Sequence, residues 1–230
     1  AVKPAEIWVE RHVRHKYACK SCDGVETVGG AVKTAKLPQQ IITQGIATPS
    51  LLSFIITGKF CDGLPLYRLE KIFSRIGIDL ARSTMCGWPI DIHTRYNEFF
   101  NIFWKELTAY PLIGIDETKV QVLGEPGKKN TTLSYMWVFR GGGERPVVLF
   151  HYAPSRSPSE IEKYISGYEG YIQTDGYGGY EAIGAREGII HVGCWAHARR
   201  YFYEAGKCAG EGAFANTVVS IIRNLYLVED

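Results

Sequence analysis

Two aspartates close apolar segments of this sequence: Asp116 ends LIGID, and Asp175 ends GYIQTD 59 residues later. Taken singly, an aspartate at a strand end is ordinarily a turn former or a helix cap. A pair is different, because two carboxylates within a few ångströms raise each other's pKa unless a cation lies between them. Magnesium suits such oxygen donors, and two ions in one site stabilise the attacking and leaving oxygens of a phosphodiester displacement. That chemistry needs the strands carrying Asp116 and Asp175 to be neighbours. Glu117 follows Asp116 directly, and strand alternation turns it to the opposite side, so it ranks below Asp116 as a ligand. The glycines of DGYGGY after Asp175 let backbone pass close to a ligand, and they also suit a tight turn.

Three other groups have residue types that could do chemistry. Cys19 and Cys22 form a CxxC, half of a tetrahedral zinc site whose second pair must come from elsewhere. His12 and His15 could serve, and two unremarkable thiols are the alternative. In HVGCWAHARRYF, Cys194 and His197 are three apart, which on a helix places them on one face as a metal pair or as a packed thiol and a hydrogen-bonded imidazole. Arg199 and Arg200, with Lys207 beyond them, offer either phosphate contacts on DNA or a solvated face.

The elements that must position these residues fall into three stretches. Residues 1–36 contain alternating apolar and basic residues, the CxxC knuckle and a Gly/Ala/Lys linker. Residues 37–110 read as helices: Thr48 as N-cap, Pro49 at the first helical position and Gly58 past the end bound a short buried helix. After it, LPLYRLEKIFSRIGIDLARSTMCGW gives helix, turn at Gly77 and a second helix capped near Ser83. This resembles a helix-turn-helix or an ordinary helical hairpin. Pro89 is expected to kink or end that second helix, and YNEFFNIFWKELTAY is another amphipathic helix.

From 111 onward PLIGIDETKVQVL, LSYMWVFRGG and PVVLFHYAPSRS read as three strands joined by hairpins. A helix capped at Ser157 or Ser159 runs over SEIEKYISGY. A fourth strand follows in GYIQT, then a short helix, and a fifth strand leads into a basic helix. Three hairpin strands followed by alternating helix and strand describe a mixed α/β sheet, the order of ribonuclease H-like cores.

Composition narrows the class. The 230 residues are 46% hydrophobic and 22% charged, with no apolar run near the ~18 residues of a membrane span. No signal peptide is recognised, and the scattered cysteines fit a reducing cytoplasm. Net charge is +2, but residues 1–36 carry seven Lys/Arg against four Asp/Glu while residues 111–230 carry twelve against fourteen. The first residue is not Met and the last residues lie inside an amphipathic pattern, so both ends are expected to continue in a longer protein.

GIDETKVQVL, YIQTDGYGGY, HVGCWAHARRYF and the upstream stretch from ATPSLLSF to STMCGW resemble the transposases of insertion-sequence family 66. RHVRHKYACKSC is similar to the second half of that family's zinc-binding region. The resemblance implies a DNA transposase that cleaves and joins strands with magnesium at a D, D, E triad, working as a homo-oligomer on the element's ends and on target DNA. Asp116 and Asp175 match the first two carboxylates. Glu204, Glu211 and Glu229 are the late acids here, and none stands in a matching motif, so the third carboxylate is expected beyond residue 230. The other readings are a non-catalytic DNA-binding remnant or regulator, and a ribonuclease H-like metal nuclease without strand transfer.

Overall fold

A computed structural model describes residues 6–18, 32–210 and 212–228, in two units, Ala1–Arg95 and Tyr96–Asp230. Among the described residues no helix is long and apolar enough to cross a membrane.

In the first unit, strand β1 (Lys16–Ala18) pairs antiparallel with β2 (Val32–Thr34), Tyr17 opposite Lys33. Cys19 and Cys22 fall between these strands, outside the described residues. Helix α1 (Pro49–Phe60) starts as its sequence dictates. Thr48 is the N-cap, and its side chain accepts from the Leu51 N–H at 3.3 Å. The helix does not stop at Gly58. That glycine lies buried within it, covered by Leu64 and by Leu69 of α2 (Leu66–Arg75).

Gly77, at φ 81°, then turns the chain. Helix α3 (Arg82–Arg95) is capped from outside: Glu70 of α2 accepts from the Arg82 backbone N–H at 3.0 Å and pairs with its side chain at 3.1 Å. Helix α3 does not end at Pro89 but continues through it to Arg95. Met85 and Trp88 before the proline and Ile92 after it all pack into the cluster of Leu52, Leu69 and Phe73. Burial on both sides of the proline outweighs the one backbone hydrogen bond it removes.

The second unit opens with α4 (Asn97–Thr108), whose Leu107 and Trp104 pack on the sheet that follows. Strands β3 (Leu112–Gln121), β4 (Leu133–Gly141) and β5 (Val147–Ala153) form the antiparallel hairpins read from the sequence. The next helix is shorter than SEIEKYISGY. Only α5 (Ser159–Glu162) is regular, and i→i+3 bonds carry the winding through Tyr164, Ile165 and Tyr168, which buries Ile161, Ile165 and Tyr168.

Strand β6 (Gly170–Thr174) returns parallel to β3. A 3₁₀ turn (Gly178–Tyr180) and α6 (Glu181–Gly184) lead to β7 (Ile189–Gly193), parallel to β6, and the helices α7 (Trp195–Ala209) and α8 (Phe214–Tyr226) follow. The sheet order is β5-β4-β3-β6-β7, with β3 at the centre.

Alternation sets the faces of this mixed sheet. Ile113 and Ile115 of β3, Trp137 and Phe139 of β4 and Ile172 of β6 share the buried side. Trp104 meets Phe139 edge-on at 4.9 Å and stacks on Tyr164 at 4.1 Å, which ties α4 and the α5 crossover to one face. Phe139→Ala should therefore destabilise the unit by about 3–5 kcal/mol. Urea unfolding followed at the tryptophans checks this, and a loss below about 1 kcal/mol would show that Phe139 is not central to the core.

Candidate active site

The pairing of β3 with β6 decides where the acids meet. Ile113 stands opposite Ile172 and Gly114 opposite Gln173. The same offset of 59 residues separates Asp116 from Asp175; the ladder itself ends at Gly114–Gln173, and Asp116 lies further along β3, opposite Val138 of β4. Asp175 stands one residue past β6, where its Oδ1 accepts from the Tyr177 N–H at 3.0 Å and starts the DGYGGY turn. Asp116 is the open member, its side chain 56% exposed against 17% for Asp175.

Glu117 occupies a different environment. Alternation places it in line with Ile113 and Ile115 on the core side, and its carboxylate is only 2% exposed. Such a charge needs partners. Arg156, from the loop after β5, forms an ion pair and a hydrogen bond with Oε1, and the Tyr180 hydroxyl donates to Oε2. The same guanidinium reaches Asp175 Oδ2 at 3.7 Å and lies 3.5 Å from the centre of the Tyr177 ring. One cation therefore bridges the tip of β5, the core face of β3 and the turn after β6.

The electrostatics follow from that packing. Burial works against the Arg156 charge, but the hydrogen bond and charge of Glu117, with the charge of Asp175, more than offset it, so its pKa rises above the ordinary arginine value. Burial, then the hydrogen bond and charge of Glu117, push the Tyr180 phenol far above its usual value, and Asp175 and Asp116 add to the effect.

The other residues read from the sequence are dispersed. Cys194 is the N-cap residue of α7 and a free thiol. His197 Nε2 faces Asp116 Oδ2 at 3.7 Å, while its buried Nδ1 has no hydrogen-bond partner among the described residues. Arg199 and Arg200 are exposed on the next turn of α7. Glu204 pairs with Lys207 at 2.9 Å, away from the two aspartates, and Glu211 and Glu229 lie outside the described residues. No group of three or more His, Cys, Asp or Glu side chains that could hold a metal is found among the described residues. Asp116 and Asp175 offer hard oxygen donors, the ligand type that magnesium takes, one or two carboxylates with waters completing its shell.

Comparison with known proteins places this architecture. The model of the Transposase IS66 family matches residues 44–230. The chain belongs to that family. Among curated proteins this IS66-family chain is similar to the uncharacterized proteins y4qI and y4jD of Sinorhizobium fredii, each 30% identical. The first alignment covers 94% of the chain and 41% of y4qI, the second 99% and 45% of y4jD. A third, y4hP of the same organism, is 26% identical over 87% of the chain and 36% of its own length. The chain thus spans less than half the length of the curated relatives it matches. No solved structure matches it.

Reading the sequence missed Arg156 and Tyr180 and saw in Glu117 only a weaker ligand than Asp116. The signal for Glu117 was there: a carboxylate at the next period-two position after Ile113 and Ile115 must be buried with a partner. Nothing in APSRSPSE separates Arg156 from an ordinary loop cation.

Two outcomes follow. Arg156→Ala strands the buried Glu117 carboxylate and should cost about 3 kcal/mol in chemical denaturation. Adding Glu117→Gln should recover much of that, and an additive double variant would show that the two residues are not coupled. For Tyr180, a native pKa raised above the ordinary 10.0 means that the native state holds a proton the unfolded chain releases. Its contribution is full below that ordinary value and falls as pH rises through it. Denaturation between pH 8 and 11 should show a shallower loss of stability in Tyr180→Phe than in the parent, and identical slopes would refute the burial of this phenol.

Proposed function

We propose that this chain carries the strand-cleaving unit of a DNA transposase, a ribonuclease H-like sheet in which Asp116 and Asp175 hold magnesium. The observation that supports this most is the parallel β3–β6 register in a member of the IS66 family, whose offset equals the separation of Asp116 and Asp175 in sequence. The central β3, the order β5-β4-β3-β6-β7 and the antiparallel first three strands accord with a ribonuclease H-like core. The helical region with α2 and α3 is the proposed DNA-binding part, with element ends and target DNA as partners of a homo-oligomer. Cys19 and Cys22 are the proposed half of a zinc site.

Each residue then has a task. Asp116 and Asp175 supply oxygen donors, Asp116 from the open side. Arg156 holds the Asp175 carboxylate and, through Glu117 and Tyr180, fixes the turn that carries it. His197 faces Asp116 from α7 and limits how its carboxylate can rotate. The chemistry that magnesium contributes in such a site is charge stabilisation at the attacking and leaving oxygens of a phosphodiester displacement.

The test is an excision and integration assay in cells carrying the complete protein, extended past residue 230, and a marked element. Asp116→Asn and Asp175→Asn should each lower transposition at least about 1000-fold, the scale of losing a principal electrostatic group, while binding to the element's ends persists in gel shift. Transposition retained in either variant would overturn the assignment of these aspartates.

A further inference from the structure

Helices α7 and α8 form a hairpin pinned near its turn. Asn216 of α8 donates from Nδ2 to the Gly210 carbonyl at 3.0 Å and lies against buried Gly206, where any added side chain would collide with it. Away from the turn the two helices line a cleft of about 540 Å3. Arg199, Arg200 and Tyr203 of α7 face it with Ala196, the i, i+3, i+4, i+7 spacing of one helical face, and Arg223 and Tyr226 of α8 face it at i, i+3. This seam is where a helical hairpin ordinarily places its apolar stripe.

The composition is unusual for a seam and specific for a ligand. Among the described residues no acidic side chain lines the cleft. None of the three arginines forms an ion pair with a described residue, whereas nearby Lys207 is paired with Glu204 and lies over the Tyr203 ring at 4.6 Å. Three guanidiniums held together repel one another until an anion joins them, and guanidinium geometry suits phosphate oxygens. Tyr203 and Tyr226 add partly exposed rings, 49% and 38% accessible, of the kind on which unpaired bases stack. The volume is that of a small-molecule pocket, enough for single nucleotide units and not for a duplex. The helix that supplies Arg199 and Arg200 also carries His197, which faces Asp116 at 3.7 Å.

We propose that this cleft binds single-stranded DNA, its phosphates on Arg199, Arg200 and Arg223 and an unpaired base on Tyr226. The choice of DNA over RNA rests on the transposase reading; the preference for an unpaired strand rests on the cleft.

The test is fluorescence anisotropy of the chain with labelled dT15, a 15-base-pair DNA duplex and rU15, in EDTA across a salt series. Arg199→Gln and Arg223→Gln should each weaken dT15 binding and make the log K against log salt slope shallower by about 0.7. Tyr226→Ala should lose about 5- to 150-fold, Tyr226→Phe should bind like the parent, and duplex binding should change far less. Unchanged dT15 affinity in the arginine variants, equal losses on duplex and single strand, a neutral Tyr226→Ala, or tighter binding of rU15 than of dT15 would each overturn the proposal. The Tyr226→Phe and Tyr226→Ala comparison decides the matter even where an arginine variant folds poorly. No strand chemistry occurs in EDTA, so failure here leaves the role of Asp116 and Asp175 intact, and failure of transposition leaves the cleft result intact.

Discussion

A carboxylate placed on the core side of a central strand must be neutralised where it stands, and Glu117 imposes that condition on everything around it. Its partners come from two separate stretches of chain: Arg156 from the tip of β5 and Tyr180 from the turn beyond β6. The cation recruited for Glu117 also touches Asp175. The loop that carries Asp175 is therefore held by charge from below as well as by its own turn hydrogen bond from above. Breaking such a partly buried network leaves a charge without solvent, which is why one arginine can govern the geometry of a whole strand edge.

The sheet supplies the other half of the arrangement. Parallel pairing of β3 with β6 fixes which residues are level, and a slip of one residue would send Asp116 and Asp175 to opposite faces. The fully buried Ile113 and Ile172, directly opposed, oppose that slip. Packing thus sets the alignment of the two aspartates, and the same packing leaves Asp116 open to solvent. Membership in a transposase family gives these aspartates, one open and one mostly covered, a chemical context.

Much of the fold was legible because local rules were obeyed. Alternation marked β3, β4 and β5, and Thr48 with Pro49 marked the start of α1. Where tertiary burial overrode a local rule, the reading failed. Gly58 and Pro89 look like helix ends, yet Leu69 packs over the first and Trp88 and Ile92 flank the second. The length of α5 was overestimated because burying Ile161, Ile165 and Tyr168 together is met by tighter winding. Of the site, Asp116 and Asp175 stood out because each closes an apolar segment, yet β3 does not end there: it runs on through Asp116 to Gln121, paired with β4. The role of Glu117 was inferable from its period, but that of Arg156 was not, since its partners lie 39 and 19 residues away in sequence.

The central claim is that Asp116 and Asp175 together form a divalent-cation site. Anomalous diffraction from crystals grown with manganese, a magnesium surrogate, tests it most directly. The account predicts an anomalous peak within coordination distance of both carboxylates that disappears in Asp116→Asn. A protein that binds manganese elsewhere, or shows no peak between these aspartates at saturating metal, would contradict it.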